Sequence, residues 1–292
     1  MDRNLTKILA AKPVVDSVIE QLKSEVNAWV KRGVVPSLKV LLVGNHPPSL
    51  IYTKNKKKFI ESLGAKCEII HLDETISKVE FLKIANEISK DSDTHGCFAQ
   101  LPLPKHLNDV DVANLFPANK DVDGFHPENI RAMVVGGVIA ERALMPCTPK
   151  GIITLLKHYK FDLSGKNVVV IGRSMIVGKP MAMMLSNANA SVSICHSKTK
   201  DISFFTKKAD LIVVAVGKKD FLTTKHLGDN KPWIIDVGQN VINDSLFGDV
   251  TEDCIDHCEA LTPVPGGVGP MTICSLGQNL LAAVQLQLGD IS

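Results

Sequence analysis

A chain of 292 residues, 45% hydrophobic and 22% charged, is long enough for about two domains with cores of their own, which excludes a stapled miniprotein and a mainly disordered chain. Thirty-three Lys and Arg against 31 Asp and Glu leave only +2, without the clustered basic excess of a dedicated nucleic-acid binder, and no run approaches the roughly 20 apolar residues of a membrane span. Asp2, Arg3, Lys7 and Lys12 interrupt any secretory leader and seven scattered cysteines form no paired framework, so the expectation is a cytoplasmic protein with reduced thiols and neither nucleic acid nor membrane as partner.

In chain order, Val14, Val18, Ile19, Leu22, Val26 and Val30 recur at helical spacing, which predicts an amphipathic helix over 10–32 stopped by Gly33. A strand over 38–43, a turn, a helix over 49–63 and a strand over 67–72 give a β-α-β alternation. A helix near 78–89 and a strand over 96–101 continue it, so the first half reads as a small parallel α/β layer. The second half opens at Pro146-Cys147-Thr148-Pro149, where Thr148 is expected to cap a helix and Pro149 to occupy its first turn. Apolar strands over 167–171, 191–195, 211–216 and 233–237 are spaced for a doubly wound parallel sheet. A Pro/Gly stretch over 262–272 then precedes a last apolar helix, 273–288. The predicted fold is α/β with two parallel-sheet domains: 1–146 plus 273–292, onto which the last helix packs back, and a Rossmann-like domain over 147–272.

The strand over 167–171 runs into Gly172-Arg173-Ser174-Met175-Ile176-Val177-Gly178-Lys179-Pro180. This glycine-bracketed turn brings backbone N–H groups and a positive helix end to an anion, as a dinucleotide pyrophosphate requires. The ordinary G-x-G-x-x-G spacing is absent, and the loop alone also fits a tight strand-to-helix turn. The next strand ends Cys195-His196-Ser197-Lys198, with no acid to hold a ribose hydroxyl. Arg173, Ser197 and Lys198 offer donors to a 2′-phosphate, which favours NADP over NAD; a solvated basic loop is the alternative.

On the second predicted helix, Tyr52 and Lys56 stand at i and i+4 and share a face. Lys54, Lys57 and Lys58 crowd Lys56 with like charge. Partial burial and the lack of a neighbouring carboxylate would suit it to proton transfer, although a basic run also reads as a wet helix face. Gln100, in Gln100-Leu-Pro-Leu-Pro104, and Asp123, in Lys120-Asp-Val-Asp-Gly-Phe125, fall where loops gather at the carboxyl ends of strands. Asp123 can accept two parallel N–H bonds from an amidine-like edge; equally, it can be a turn former and Gln100 a strand-end polar group.

Taken in order over nearly the whole chain, these motifs resemble the bifunctional methylenetetrahydrofolate dehydrogenase/methenyltetrahydrofolate cyclohydrolase family. The resemblance also takes in Pro146-Cys-Thr-Pro-x-Gly151, Asp236-Val-Gly238 and Thr262-Pro-Val-Pro-Gly-Gly-Val-Gly-Pro-Met-Thr272. It implies a two-step reaction on tetrahydrofolate derivatives with NADP: oxidation of the methylene bridge, then hydrolysis of the methenyl cation to 10-formyltetrahydrofolate. It assigns acid–base work to Lys56, assistance to Tyr52 and Gln100, and pterin anchoring to Asp123.

By the same resemblance Leu101, Pro265, Gly266 and Gly267 contact substrate. Gly172, Arg173, Ser174, Val177, Gly178, Ser197, Gln239 and Thr272 contact the dinucleotide. It further implies a homodimer through the nucleotide-binding domain. Gln239 departs from the apolar residue usual after Asp-Val-Gly, and Arg131 from a usual glycine. No metal is expected, because Cys254-x-x-His257-Cys258 lacks a second half, and Cys147 reads as packing rather than a nucleophile. The competing readings are an enzyme of one step only and a catalytically silent NADP-binding protein; the joint presence of Lys56, Gln100 and Asp123 speaks against the latter.

Overall fold

The structure, a computed structural model, describes residues 6–243 and 245–289. Asp2 and Arg3, and the last three residues assigned to the first domain, lie outside them. In chain order the first half contains β1 (Lys7–Ile8), α1 (Lys12–Lys31), β2 (Ser37–Val43), α2 (Pro47–Ser62), β3 (Lys66–Leu72), α3 (Lys78–Lys90), β4 (Gly96–Ala99), α4 (Pro127–Val135) and α5 (Gly137–Glu141). There follow α6 (Cys147–His158), β5 (Asn167–Ile171), α7 (Gly178–Asn187), β6 (Ser191–Cys195), α8 (Ser203–Thr206) and β7 (Leu211–Val214). The remainder comprises β8 (Trp233–Asp236), β9 (Asn240–Ile242), β10 (Ser245–Phe247), β11 (Ala260–Leu261) and α9 (Val268–Leu288).

The chain forms two compact units. One comprises Ser17–Cys147 and the C-terminal stretch from Ile273, around a parallel sheet of order β3-β2-β4. Central strand β2 is apolar on both faces because both are covered. Leu38 and Val40 join Leu22, Ile60, Leu276 and Leu280 in one core cluster; Leu41 and Val43 join Phe81, Ile88 and Leu107 in another. The last helix thus packs on this unit, as expected, and closely: a Cβ on Gly277 would stand 3.0 Å from Phe59.

The other unit comprises Thr148–Thr272 and, among the described residues, Thr6–Asp16. Its main sheet has the strand order β1-β11-β8-β7-β5-β6, every neighbouring pair parallel; β9 and β10 pair separately as an antiparallel hairpin. Strand β5 has β6 on one side and β7 on the other, so the strand order reverses beside it. Val168, Val170 and Val213 pack into one face; Val169, Ile171 and Ile212 pack into the other.

Several boundaries differ from the sequence expectation, four of them for a physical reason. The segment from Thr6 to Asp16 belongs to the second unit, because Lys7 and Ile8 pair with Ala260 and Leu261; two residues are too few to show a strand period. Helix α6 begins at Cys147, which places Thr148 inside its first turn rather than at a cap; Pro149 occupies that turn as expected, tolerated there because its missing N–H would be unpaired anyway. For the same reason Pro270 does not delay α9, which starts at Val268 rather than 273. Strand β7 stops at Val214 because the N–H groups of Val216 and Gly217 turn to the carboxylate of Asp249.

Candidate active site

Helix α2 starts with two prolines, whose fixed φ suits the first turn, and buries Ser49, Thr53, Lys56 and Ile60 along one stripe. Lys56 is therefore on the covered face, 5% exposed, while Lys54 and Lys58 are exposed and Lys57 pairs with Glu61 one turn on, at 3.6 Å. The Lys56 Nζ lies 3.9 Å from the Phe98 ring centre and 5.1 Å from that of Tyr52, within cation–π range of both. It donates to Gln100 Oε1 at 3.3 Å. Gln100 is held from behind: its backbone N–H donates to Leu41 O at 2.8 Å and its side-chain amide to Leu101 O at 2.9 Å. Leu101 itself is 39% exposed.

One sequence expectation is corrected here. Lys56 does have a carboxylate neighbour, since Asp123 Oδ1 lies 3.9 Å from Nζ. Helix α2 and a loop distant in sequence bring this ion pair together, which helical spacing could not reveal. Burial pushes the Asp123 carboxyl above its usual range, and the Lys56 ammonium pulls the other way.

The loop carrying Asp123 is built on Asp121. Its carboxylate accepts backbone N–H bonds from His126 at 2.6 Å and Gly124 at 3.2 Å, and one from the Asn129 amide at 3.3 Å. Burial, opposed by the His126 N–H, leaves its pKa raised to about 6. Gly124 has φ +79°, and a Cβ there would stand 2.4 Å from Met145 C, so only glycine fits. His126 caps α4, accepting from Glu128 N at 3.2 Å. Cys147 is buried, its thiol donating to Val122 O at 3.2 Å, which fits packing.

Phe98 and Asp121 were not singled out from sequence. Phe98 had a signal: it stands two residues before Gln100, and strand alternation puts i and i+2 on one face. Asp121 had none beyond its place in the motif.

The dinucleotide-type residues lie in the second unit. The N–H of Gly172, φ +131°, donates to Cys195 O at 2.9 Å, tying the loop after β5 to the end of β6. A Cβ on Gly178 would stand 2.3 Å from Gly172 O, so the first turn of α7 needs a glycine to sit against this loop. Ser174 Oγ accepts from the Val177 and Gly178 N–H groups at 3.1 and 3.4 Å. Arg173, Ser197 and Lys198 are exposed, and among the described residues neither cation meets a carboxylate. This is a cradle that fits a phosphorylated dinucleotide: glycines for close approach, a helix start, and cations with no acid opposing them.

Gln239, exposed, lines a pocket of about 120 Å³ with Pro265, Gly266 and Gly267; its Nε2 would lie 3.2 Å from a Cβ on Gly269. The Thr272 hydroxyl meets Thr148 Oγ1 at 3.0 Å and Val268 O at 3.3 Å. Among the described residues no cluster of three or more His, Cys, Asp or Glu could hold a metal ion, and no helix is long and apolar enough to cross a membrane.

Residues 9–123 match the model of the tetrahydrofolate dehydrogenase/cyclohydrolase catalytic domain and residues 146–288 that of its NAD(P)-binding domain. The bifunctional protein FolD of Bacillus licheniformis is 45% identical over 267 residues, 91% of this chain and 92% of that one. The crystal structure of the Campylobacter jejuni bifunctional enzyme FolD, a methylenetetrahydrofolate dehydrogenase/cyclohydrolase, superposes with TM-score 0.93 at 40% identity, covering 97% of this chain and all of that one. The Trypanosoma brucei dehydrogenase–cyclohydrolase, crystallised with NADP and an inhibitor, gives TM-score 0.89 at 28% identity over 96% and 98% of the two chains. On the two domain matches and these relatives, the chain belongs to the tetrahydrofolate dehydrogenase/cyclohydrolase family.

Proposed function

We propose that this chain oxidises 5,10-methylenetetrahydrofolate to 5,10-methenyltetrahydrofolate with NADP and hydrolyses that product to 10-formyltetrahydrofolate. The observation that carries the reading is the Lys56 amine, buried against Phe98 and Tyr52 and held between Gln100 and Asp123. NADP, bound by the Gly172–Gly178 loop with Arg173 and Ser197 toward its 2′-phosphate, supplies the hydride acceptor. Loss of hydride leaves a cation shared by N5, the bridge carbon and N10. To act on that cation the Lys56 ammonium of the ion pair must first give up its proton, since a neutral amine repels the cation less than an ammonium would. As water oxygen bonds to the bridge carbon, Lys56 Nζ takes one proton and returns it to N5 when the C–N5 bond breaks; the second water proton leaves to solvent.

Gln100 orients Nζ through the 3.3 Å bond, and Tyr52 positions it by packing. Asp123 accepts from the N–H edge of the pterin, next to Leu101. After Pro265, Gly266 and Gly267 offer backbone free of side chains to a flat ring. Gln239 and Thr272 face the dinucleotide. Lys56→Met tests the assignment: hydrolysis of methenyltetrahydrofolate, followed by loss of its chromophore, is expected to fall at least 100-fold, the low end of general acid–base contributions. Unchanged turnover would remove Lys56 from the chemistry. In a wild-type assay that follows reduced nicotinamide and the methenyl chromophore together, persistence of the latter would reject bifunctionality.

The domains are read functionally as a folate-binding catalytic unit and an NADP-binding unit. Every cysteine is a buried thiol, which supports a reducing, cytoplasmic setting. A homodimer through the NADP-binding unit is supported by the β9–β10 hairpin, where Val241 and Ile242 are 64% and 43% exposed.

A further inference from the structure

Two aspartates that the chemistry above does not use are buried near the carboxyl ends of β7 and β8. Asp236 ends β8; Asp249 follows the β9–β10 hairpin and is fully buried. Asp236 Oδ1 accepts from the N–H groups of Gly238 and Asp249, both at 2.9 Å, and its Oδ2 from Val250 N–H at 3.0 Å. Asp249 repeats the pattern toward the next loop. Its Oδ2 accepts from Val216 and Gly217 N–H at 2.8 and 2.9 Å, its Oδ1 from Lys218 N–H and the Asn240 side-chain amide, both at 2.9 Å.

Each carboxylate fills space that a glycine beside the other leaves open. A Cβ on Gly248 would stand 1.9 Å from Asp236 Oδ2, and one on Gly238 2.4 Å from Asp249 Oδ1. The segments Asp236-Val237-Gly238 and Gly248-Asp249-Val250 therefore interlock.

Their location gives the clasp a use. In a doubly wound sheet the ligand crevice opens where the strand order reverses, here between the loops that follow β5 and β7. Those loops touch: a Cβ on Gly172 would stand 2.3 Å from Ala215 O. Residues 216–218 form the β7 side of the crevice, and Gly217 takes φ +65°, open to many conformations without a restraint. Three successive N–H groups committed to one carboxylate supply that restraint. The carboxylate needs them equally, since a buried charge without donors is costly.

We propose that Asp249 is a positioning residue for the dinucleotide, setting the β7 edge of the crevice and thereby NADP affinity and the dehydrogenase step, while hydrolysis at Lys56 proceeds without it. This rests on the bifunctional reading above. In Asp249→Asn an NH₂ replaces one acceptor and faces N–H donors, so the loop must open. Asn240→Ala removes one donor and leaves the charge paired. Both full-length variants are measured for NADP Kd by calorimetry, for dehydrogenase kcat and KM, and for cyclohydrolase turnover on methenyltetrahydrofolate supplied directly.

The expected result is an NADP Kd raised at least tenfold in Asp249→Asn and less in Asn240→Ala, with cyclohydrolase turnover within twofold of wild type. An unchanged Kd, or loss of both activities in equal proportion, overturns the proposal. Should Asp249→Asn not fold, Asn240→Ala decides by the same readouts. A wild-type protein that binds NADP yet turns over neither folate would sink the bifunctional reading, while the shift in Kd would still judge Asp249.

Discussion

Burial raises the Asp123 carboxyl above its usual range while Lys56, 3.9 Å away, opposes the shift. Because only the ionised form accepts two N–H bonds from a pterin, folate binding should weaken as pH falls through that raised range, above the ordinary carboxylate value of 3.8. Asp123→Asn should raise the KM for methylenetetrahydrofolate by roughly 10- to 100-fold, the equivalent of a lost charge-assisted hydrogen bond of about 1.5–3 kcal/mol. Its KM should also lose the acid-side pH dependence seen in wild type. Steady-state kinetics from pH 5 to 8 measure both effects, and a wild-type KM profile would detach Asp123 from the pterin.

At the scale of elements, the start of α7 and the loop after β5 fit each other through the absence of one methyl group. The Cβ of Gly178→Ala would lie 2.3 Å from Gly172 O, backbone that cannot rotate away as a flexible side chain could. The turn must shift, at a cost of about 1–3 kcal/mol typical of overpacking. Dehydrogenase KM for NADP is expected to rise tenfold or more, with hydrolysis of methenyltetrahydrofolate retained because Lys56, Gln100 and Asp123 belong to the other unit. Equal loss of both activities would show that the glycine serves folding alone.

For the whole molecule, each unit carries apolar clusters on both faces of its sheet, so neither depends on a partner chain for its core. A dimer must then use surface groups, and the β9–β10 hairpin presents the exposed Val241 and Ile242. Val241→Asp is expected to shift the protein from dimer to monomer in sedimentation velocity at micromolar concentration, since burying an unpaired carboxylate opposes association. A wild-type monomer under the same conditions would remove the homodimer from the functional picture.

What could be read from the chain before folding was whatever repeats or is local. Alternating strands and helices set the α/β class, Gly172 and Gly178 marked the tight loop between β5 and α7, and Tyr52 with Lys56 marked one helix face, because hydrophobic period and glycine chemistry act over a few residues. Tertiary structure alone decided the pairing of Lys7 and Ile8 with β11, the carboxylate beside Lys56, the bracing of Asp123 by Asp121, and the clasp between Asp236 and Asp249. Most of these join backbone or charge across long sequence separations; the Asp121 bracing spans only a few residues, yet there too nothing in local spacing says which donor a buried carboxylate will meet.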